Sequence, residues 1–423
     1  MNVENGFHTM RDFHIHGKKI LVRCDFNSPI GPKGEVLEFM RIKVYKPTFD
    51  MLRFADKVVV MSHQGRKGRD DCVSLKNHAK ILDQTIEQEV IFVDDTIGKK
   101  AMKAIDDLKQ GQVLVLENTR FLDEEEVNAL PEEHAESELV KKLAPKFDLF
   151  INDAFSVCHR SQPSVVGFPM VLPSCVGQVV EKEMEAMHYA IQKGRRPSIY
   201  LIGGNKFTEV IRVMEAMLKS NRISKVLLGG GAAQVFLYIR GMGSKKGLSV
   251  VSEKGTKLEE LLERARRLDA RFRERIETPI DLAISYGGRH EVQVTSPMLE
   301  EYDIMDIGEK TIQVYSYEIR RARAVMSKGP MGKYEDPPFL KGTVKLLNAM
   351  EDAPRAYTLI GGGHMGNIAF DLGTGVDHIS TAGGAVLAFM SGDQLPGINV
   401  LVESAKKFGA EKKGALNIDE DED

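Results

Sequence analysis

Short apolar runs recur along the whole chain, and they constrain its fold more than any other feature. "KKILVRCDF", "KVVVMSHQG", "VIFVDD", "QVLVLENTRF" and "DLFINDAF" occupy the first half; "SIYLIGGN", "KVLLGGG", "IDLAIS", "AVMSKGP", "YTLIGGG" and "HISTAGG" occupy the second. Each is nearly continuous in apolar character, the mark of a strand buried on both faces. Stretches long enough for helices, such as "EMEAMHYAIQKG" and "LEELLERARRL", separate them. This alternation specifies parallel sheets with right-handed crossovers. The runs are too numerous for one compact sheet, and they part between residues 156 and 197, where "HRSQPSVVGFPMVLPSCVGQ" reads as a loop leading into a connecting helix.

The expected fold is therefore α/β: two doubly wound domains, each with a parallel sheet of about six strands flanked by helices, joined by a hinge helix. A chain of 423 residues is long enough for two cores. The expected boundaries are 1–175 for the N-terminal domain and 176–400 for the C-terminal domain. A last segment, 401–423, is expected to pack back on the first domain and to end in a disordered acidic tail, "NIDEDED". The lysine- and arginine-rich stretch 240–275 reads as a helical elaboration of the second domain.

A net charge of −3 with 28% charged residues gives no field suited to nucleic acid or a membrane surface. No apolar stretch approaches the roughly 18 residues that cross a bilayer. The sequence "MNVENGFHTMRDFHIHGKK" lacks the apolar core of a signal peptide, so a cytoplasmic protein is expected. Cys24, Cys72, Cys158 and Cys175 are too far apart for a C-x-x-C site and read as reduced thiols.

Ligands of open α/β sheets bind beyond the carboxyl ends of the strands, so those residues are the informative ones. In the first half they are side-chain rich: Arg23, Asp25 and Asn27; His63 and Arg66; Glu117, Asn118 and Arg120; Asn152, Asp153, His159 and Arg160. Such arginine and histidine clusters suit a small, multiply charged anion. In the second half the same positions are glycine: Gly203 and Gly204, Gly229 to Gly231, Gly329, Gly361 to Gly363, Gly383 and Gly384. Glycines there let backbone N–H groups and helix N-termini approach phosphates. One domain thus reads as built for a small acid and the other for a nucleotide.

Each feature has a plainer reading. A single Gly-Gly after a strand is a tight turn, but five such sites in one half argue for a ligand. Arg23 reads as a partner for a surface carboxylate and is set aside. Arg41, in "FMRIKVYKPT", reads alone as an exposed helix-face charge, and His159–Arg160 as a loop ion pair. Gly361, Gly363 and Gly366 spell G-x-G-x-x-G, yet the next run ends in Ala382, Gly383 and Gly384 without the acid that would hold a dinucleotide ribose. No Gly-Lys pair is followed by Ser or Thr, which removes a Walker site, and "HRS" is not the H-R-D of protein kinases.

Taken in order, "ILVRCDFNSPI", "MSHQGR", "LENTRFLDEEE", "FINDAFSVCHRSQPS", "IGGNKFTEVIRVMEAML", "LLGGGAAQVF", "DIGEKT", "KGPMGKYEDPPFLKGT", "IGGGHMGNIAF", "HISTAGGAVL" and "LPG" resemble the phosphoglycerate kinase family across essentially the whole chain. "HQGR" and "HRSQPS" are most similar to its archaeal branch. The resemblance implies an N-terminal domain that binds 3-phosphoglycerate, a C-terminal domain that binds MgADP or MgATP, and reversible phosphoryl transfer from 1,3-bisphosphoglycerate to ADP in glycolysis and gluconeogenesis. It implies Asp25, Asn27, Arg41, His63, Arg66, Arg120 and Arg160 as the substrate set. For the nucleotide it implies Gly203, Gly204 and Lys206, Gly229, Gly230 and Gly231, Pro330, Glu335 for the ribose hydroxyls, and the turn Gly361, Gly362 and Gly363. Arg41 and Lys206 would converge on the transferring group in a monomer.

Four positions depart from the family pattern. His364 stands where the family has the aspartate that holds magnesium, and a histidine is a poor ligand for that hard cation, so the metal's protein contact is unassigned. Its expected role is to cap or contact a phosphate. Lys328 replaces an asparagine, Val210 a second lysine and Ala382 a glycine. Lys328 either compensates for Val210 at the nucleotide or obstructs the transfer path, and a lysine lost and a lysine gained, which leave the number of these charges unchanged, favour compensation. The alternative is an impaired relative that binds both ligands as a sensor or scaffold.

Overall fold

The computed structural model describes residues 6–191, 195–251 and 258–410. The acidic tail lies outside these residues, as does part of the 240–275 stretch. Two compact units are present, residues 1–184 with 394–423 and residues 185–393.

The first unit contains β1 (Lys19–Arg23), β2 (Lys57–Met61), β3 (Glu89–Phe92), β4 (Gln112–Val115), β5 (Leu149–Asn152) and β6 (Ser174–Val176) in the order β3-β4-β2-β1-β5-β6, all parallel. Alternate residues of β1 enter different apolar layers. Ile20 and Val22 pack with Ile42, Phe49 and Leu82, while Leu21 packs with Val59, Leu114 and Phe150. This burial on both faces is why the runs are continuously apolar.

The second unit adds β7 (Ser198–Ile202), β8 (Lys225–Leu228), β9 (Ile276–Glu277), β10 (Asp281–Ser285), β11 (Arg289–Gln293), β12 (Ile304–Ile307), β13 (Ala324–Lys328), β14 (Tyr357–Gly361) and β15 (His378–Ile379). Its parallel sheet runs β15-β14-β13-β7-β8-β9. The run "IDLAIS" is not part of it. As β10, it pairs antiparallel with β11 and β12 in a separate three-stranded sheet, burying Leu282 and Ile284 with Leu237, Val292 and Leu299.

The units divide between Met184 and Glu185, inside the helix Gln178–Ile191, and not at 175/176. Asp153 anchors the start of that helix. Its Oδ1 accepts from the backbone N–H of Val179 at 2.7 Å and of Val180 at 3.1 Å, and its Oδ2 from the Thr48 hydroxyl at 2.5 Å. The chain also returns to the first unit at Gln394, before the expected 400/401 boundary. The helix Pro396–Phe408 buries Val400 against Ala154, Val157 and Val165, and the Ser404 hydroxyl donates to the Leu172 carbonyl at 3.2 Å.

Candidate functional site

Two groups of residues gather at strand ends, one in each unit. In the first, β1 delivers Arg23 and Asp25, and β2 delivers His63. Asp25 is buried, and its carboxylate meets Arg41 Nη1 at 3.2 Å, His63 Nδ1 at 3.5 Å, the Asn27 N–H at 3.1 Å and the Ser156 hydroxyl. Burial works to raise its pKa, yet Arg41, the Ser156 hydroxyl and Arg23 hold the carboxyl below the ordinary aspartate range.

Arg23 is not a surface residue. It is fully buried: Nε donates to the Ser164 hydroxyl at 2.9 Å, Nη1 donates to the Cys24 carbonyl, and Nη2 lies 3.2 Å from His63 Nδ1 and 4.0 Å from the buried Glu125. A guanidinium only donates, so Nδ1 of His63 is the acceptor and the ring proton sits on Nε2. Burial lowers the His63 pKa well below its usual value, and although Asp25 opposes this, Arg23, Arg120 and Arg160 add to it. His63 is therefore a neutral imidazole with one N–H to offer.

Arg120 pairs with Glu126. Among the described residues Arg66 and Arg160 make no ion pair. Arg160 is close enough to Arg120, Arg66 and Arg23 that, after burial, their charges lower its pKa, with Asp25 opposing them. All seven expected substrate residues thus belong to one neighbourhood with cationic capacity to spare. Other strand-end polar residues are consumed by the scaffold. Glu117 accepts from the N–H groups of Leu75 and Asn118 and from the Ser74 hydroxyl, and Asn118 ties Gln64, Val73 and Arg120 together.

In the second unit a cavity of about 800 Å³ opens beyond β7, β8, β13 and β14. Its lining includes Gly203, Gly204, Lys206, Gly230, Gly231, Lys328, Pro330, Glu335, Gly362, Gly363 and His364. Gly229 and Gly361 lie beside it without lining it. The glycines act differently from expectation. The N–H groups of Gly203, Gly204, Gly229, Gly230 and Gly231 donate to the carbonyls of Lys328, Pro330, Ile202, Met331 and Gly204, at 2.6 to 3.0 Å. They are spent on locking three loops together. A Cβ on Gly203 would fall 2.1 Å from the Pro330 carbonyl oxygen, and one on Gly230, at φ +52°, 2.6 Å from the Gly204 nitrogen. Close backbone approach is what these glycines supply.

The Gly361–Gly363 turn differs. Gly363, at φ +73°, is the N-cap of the helix His364–Asp371, with no side chain capping it. That helix presents its N-terminus at the cavity wall. His364 is exposed, its ring 4.9 Å from that of Tyr334. Lys206 is exposed at the N-cap of the helix Phe207–Lys219. Lys328 is largely buried, with Nζ 3.6 Å from Glu209. Gln234, which sequence reasoning passed over inside an apolar helix, lines the cavity with a buried and unpartnered Oε1. Nothing in its helical spacing distinguishes it from a solvent-facing glutamine.

A guanidinium cluster at the strand ends of one α/β unit and a glycine-walled, lysine-bearing cavity in the other are the features of a two-unit α/β kinase. The phosphoglycerate kinase family model matches residues 10–393. The chain is 36% identical to phosphoglycerate kinase of Methanothermus fervidus, covering 95% of this chain and 98% of that one, and 39% identical to that of Saccharolobus solfataricus at the same coverage. The crystal structure of phosphoglycerate kinase from Pyrococcus horikoshii superposes with a TM-score of 0.87 at 38% identity, covering 95% of this chain and all of that one. The structure of the Coxiella burnetii enzyme gives 0.76 at 26%, covering 94% and 100%. The chain belongs to the phosphoglycerate kinase family, and it is an enzyme.

Proposed function

We propose that the arginine cluster of the first unit binds 3-phosphoglycerate or 1,3-bisphosphoglycerate and that the cavity of the second binds ADP or ATP as the magnesium complex. One observation carries this division: uncommitted guanidinium groups stand beside a neutral histidine in one unit, and four lysines, Lys206 and Lys328 among them, line a glycine-walled cavity in the other. Arg66, Arg120 and Arg160 would grip the phosphate and carboxylate of the acid, with the His63 Nε2–H as a further donor. Asn27 holds the Gly65 N–H through its Oδ1 at 2.8 Å and would position that loop. Glu335, exposed at the cavity wall, would take the ribose hydroxyls, with Pro330 at the base.

In the ATP-forming direction a β-phosphate oxygen of ADP attacks the acyl phosphorus of 1,3-bisphosphoglycerate. The new O–P bond forms as the bond to the carboxyl oxygen breaks, leaving 3-phosphoglycerate as a carboxylate. A loose, in-line transition state needs positioning and neutralised equatorial oxygens, which is the role assigned to Arg41 and Lys206. Each comes from a different unit, so closure about the helix Gln178–Ile191 is part of the proposal, and closure excludes the water that would hydrolyse an acyl phosphate. Bound with the nucleotide, magnesium would neutralise charge on its phosphates; its protein contact is unassigned, since His364 stands at the position of the family's aspartate. Among the described residues no three His, Cys, Asp or Glu side chains are grouped to hold a metal. Both substrate sites come from one chain, so the monomer is the proposed working unit, in the cytoplasm where glycolytic substrates are found.

The sensor reading is not favoured, because Arg41 and Lys206 are both retained. A coupled assay with 3-phosphoglycerate and MgATP, run beside Lys206→Ala, is the test. Turnover in the wild type that is lost in the variant is expected; nucleotide binding without turnover in either would return the reading to a sensor.

A further inference from the structure

Lys328 ends β13 at the cavity wall, where its side chain keeps only 18% of its surface exposed. Such a lysine normally has a close carboxylate, but its ion-pair partner, Glu209, is 3.6 Å away, beyond the 2.7 to 2.9 Å of a tight charge-assisted hydrogen bond. Glu209 is 48% exposed and sits in the first turn of the helix Phe207–Lys219, where the helix N-terminus and water both accommodate a free carboxylate. The second charge facing Lys328 is that of Lys206, on the same cavity wall. Two cations at one wall, one of them buried and loosely paired to a solvated acid, form a site that an incoming polyanion completes.

We propose that Lys328 is a phosphate-binding cation of the nucleotide cavity and that Glu209 is its resting partner, displaced when a nucleoside diphosphate or triphosphate is bound. The assignment rests on the second unit being the nucleotide site. Glu209 is then an internal competitor whose removal helps the ligand. Burial, opposed by Glu209 and assisted by Lys206, lowers the Lys328 pKa to about 8. A phosphate beside it restores the charged form, so nucleotide binding in mildly alkaline solution takes up protons.

The test is calorimetric titration of the full chain with MgADP at pH 8.5, in buffers of different ionisation enthalpy. Lys328→Met should weaken binding by about tenfold or more and abolish the buffer-dependent proton uptake seen in the wild type. Glu209→Gln should bind MgADP as tightly as the wild type or a few-fold tighter, and should have no effect when added to Lys328→Met. Thermal melts of each variant verify that it is folded, and Glu209→Gln at its exposed position supplies an independent arm. Unchanged affinity in Lys328→Met, or weaker binding in Glu209→Gln, overturns the assignment while leaving the nucleotide site standing. A wild type that binds no MgADP overturns the reading of the cavity itself.

Discussion

Arg41 shows how little a single residue's type reveals. Taken alone it is an exposed charge on a short helix; in the fold its side chain is three-quarters buried and its guanidinium lies 3.2 Å from Asp25, whose carboxylate also accepts from the Ser156 hydroxyl. An arginine fixed this way needs no reorganisation when charge develops on a transferring phosphoryl group. Replacing Arg41 with Ala should lower turnover by roughly 10²-fold or more and leave MgADP affinity nearly unchanged, as steady-state kinetics beside calorimetry would show. An equal loss of nucleotide binding would place Arg41 at the wrong ligand. Arg23 gives the converse lesson. Its own neighbours in sequence fit a surface ion pair, and the feature that settles its role, the buried Glu125, is supplied by a distant loop. Pairings of that kind have no local signature. The one available signal was an arginine at the end of an otherwise apolar run, a position rarely buried without a partner.

At the scale of elements, strands of four residues or more that are buried on both faces were legible as continuous apolar runs. The remainder had physical reasons to hide. β6 and β9 span three and two residues, too short for any period, β12, "IMDI", is interrupted by Asp306, and β11, "RHEVQ", carries charges because it lies at the edge of an exposed antiparallel sheet. The glycines were legible as a set but not in function, since spacing does not distinguish an N–H that faces a ligand from one bonded to a neighbouring loop. The structure separates the two kinds by what a methyl group would strike. Gly203→Ala forces a carbon against the Pro330 backbone and should destabilise the second unit by about 2 kcal/mol or more, measured as a lower denaturant midpoint. Gly361→Ala has the Ser327 oxygen no nearer than 3.5 Å and should cost under about 1 kcal/mol. Equal costs at the two positions would mean that the β7–β13 loop contact yields easily.

Across the whole molecule, acid acts on opposing groups, and the sign at each follows from its burial. His78, on the helix Lys76–Asp83, is buried in the first unit with Nε2 3.0 Å from Gln64 Oε1. That oxygen also accepts from the Ser28 N–H at 2.9 Å, so His78 donates from Nε2 and stays neutral, and Gln64 in turn fixes the loop that follows Asn27. Burial lowers the His78 pKa to about 4, against 6.5 for an unfolded histidine. The unfolded chain therefore binds the extra proton first: stability from this group is complete above pH 6.5 and drains as pH falls toward 4. Asp153 and Asp306 run the other way, because burial raises both to about 6 and favours the folded state as acid protonates them. The two effects are separated by difference. Between pH 7 and pH 4.5 the wild type should lose about 2.5 kcal/mol more than His78→Gln, read from urea unfolding or hydrogen exchange in the first unit. Parallel pH profiles would mean that His78 takes up its second proton, at Nδ1, as readily in the folded state as in the unfolded one.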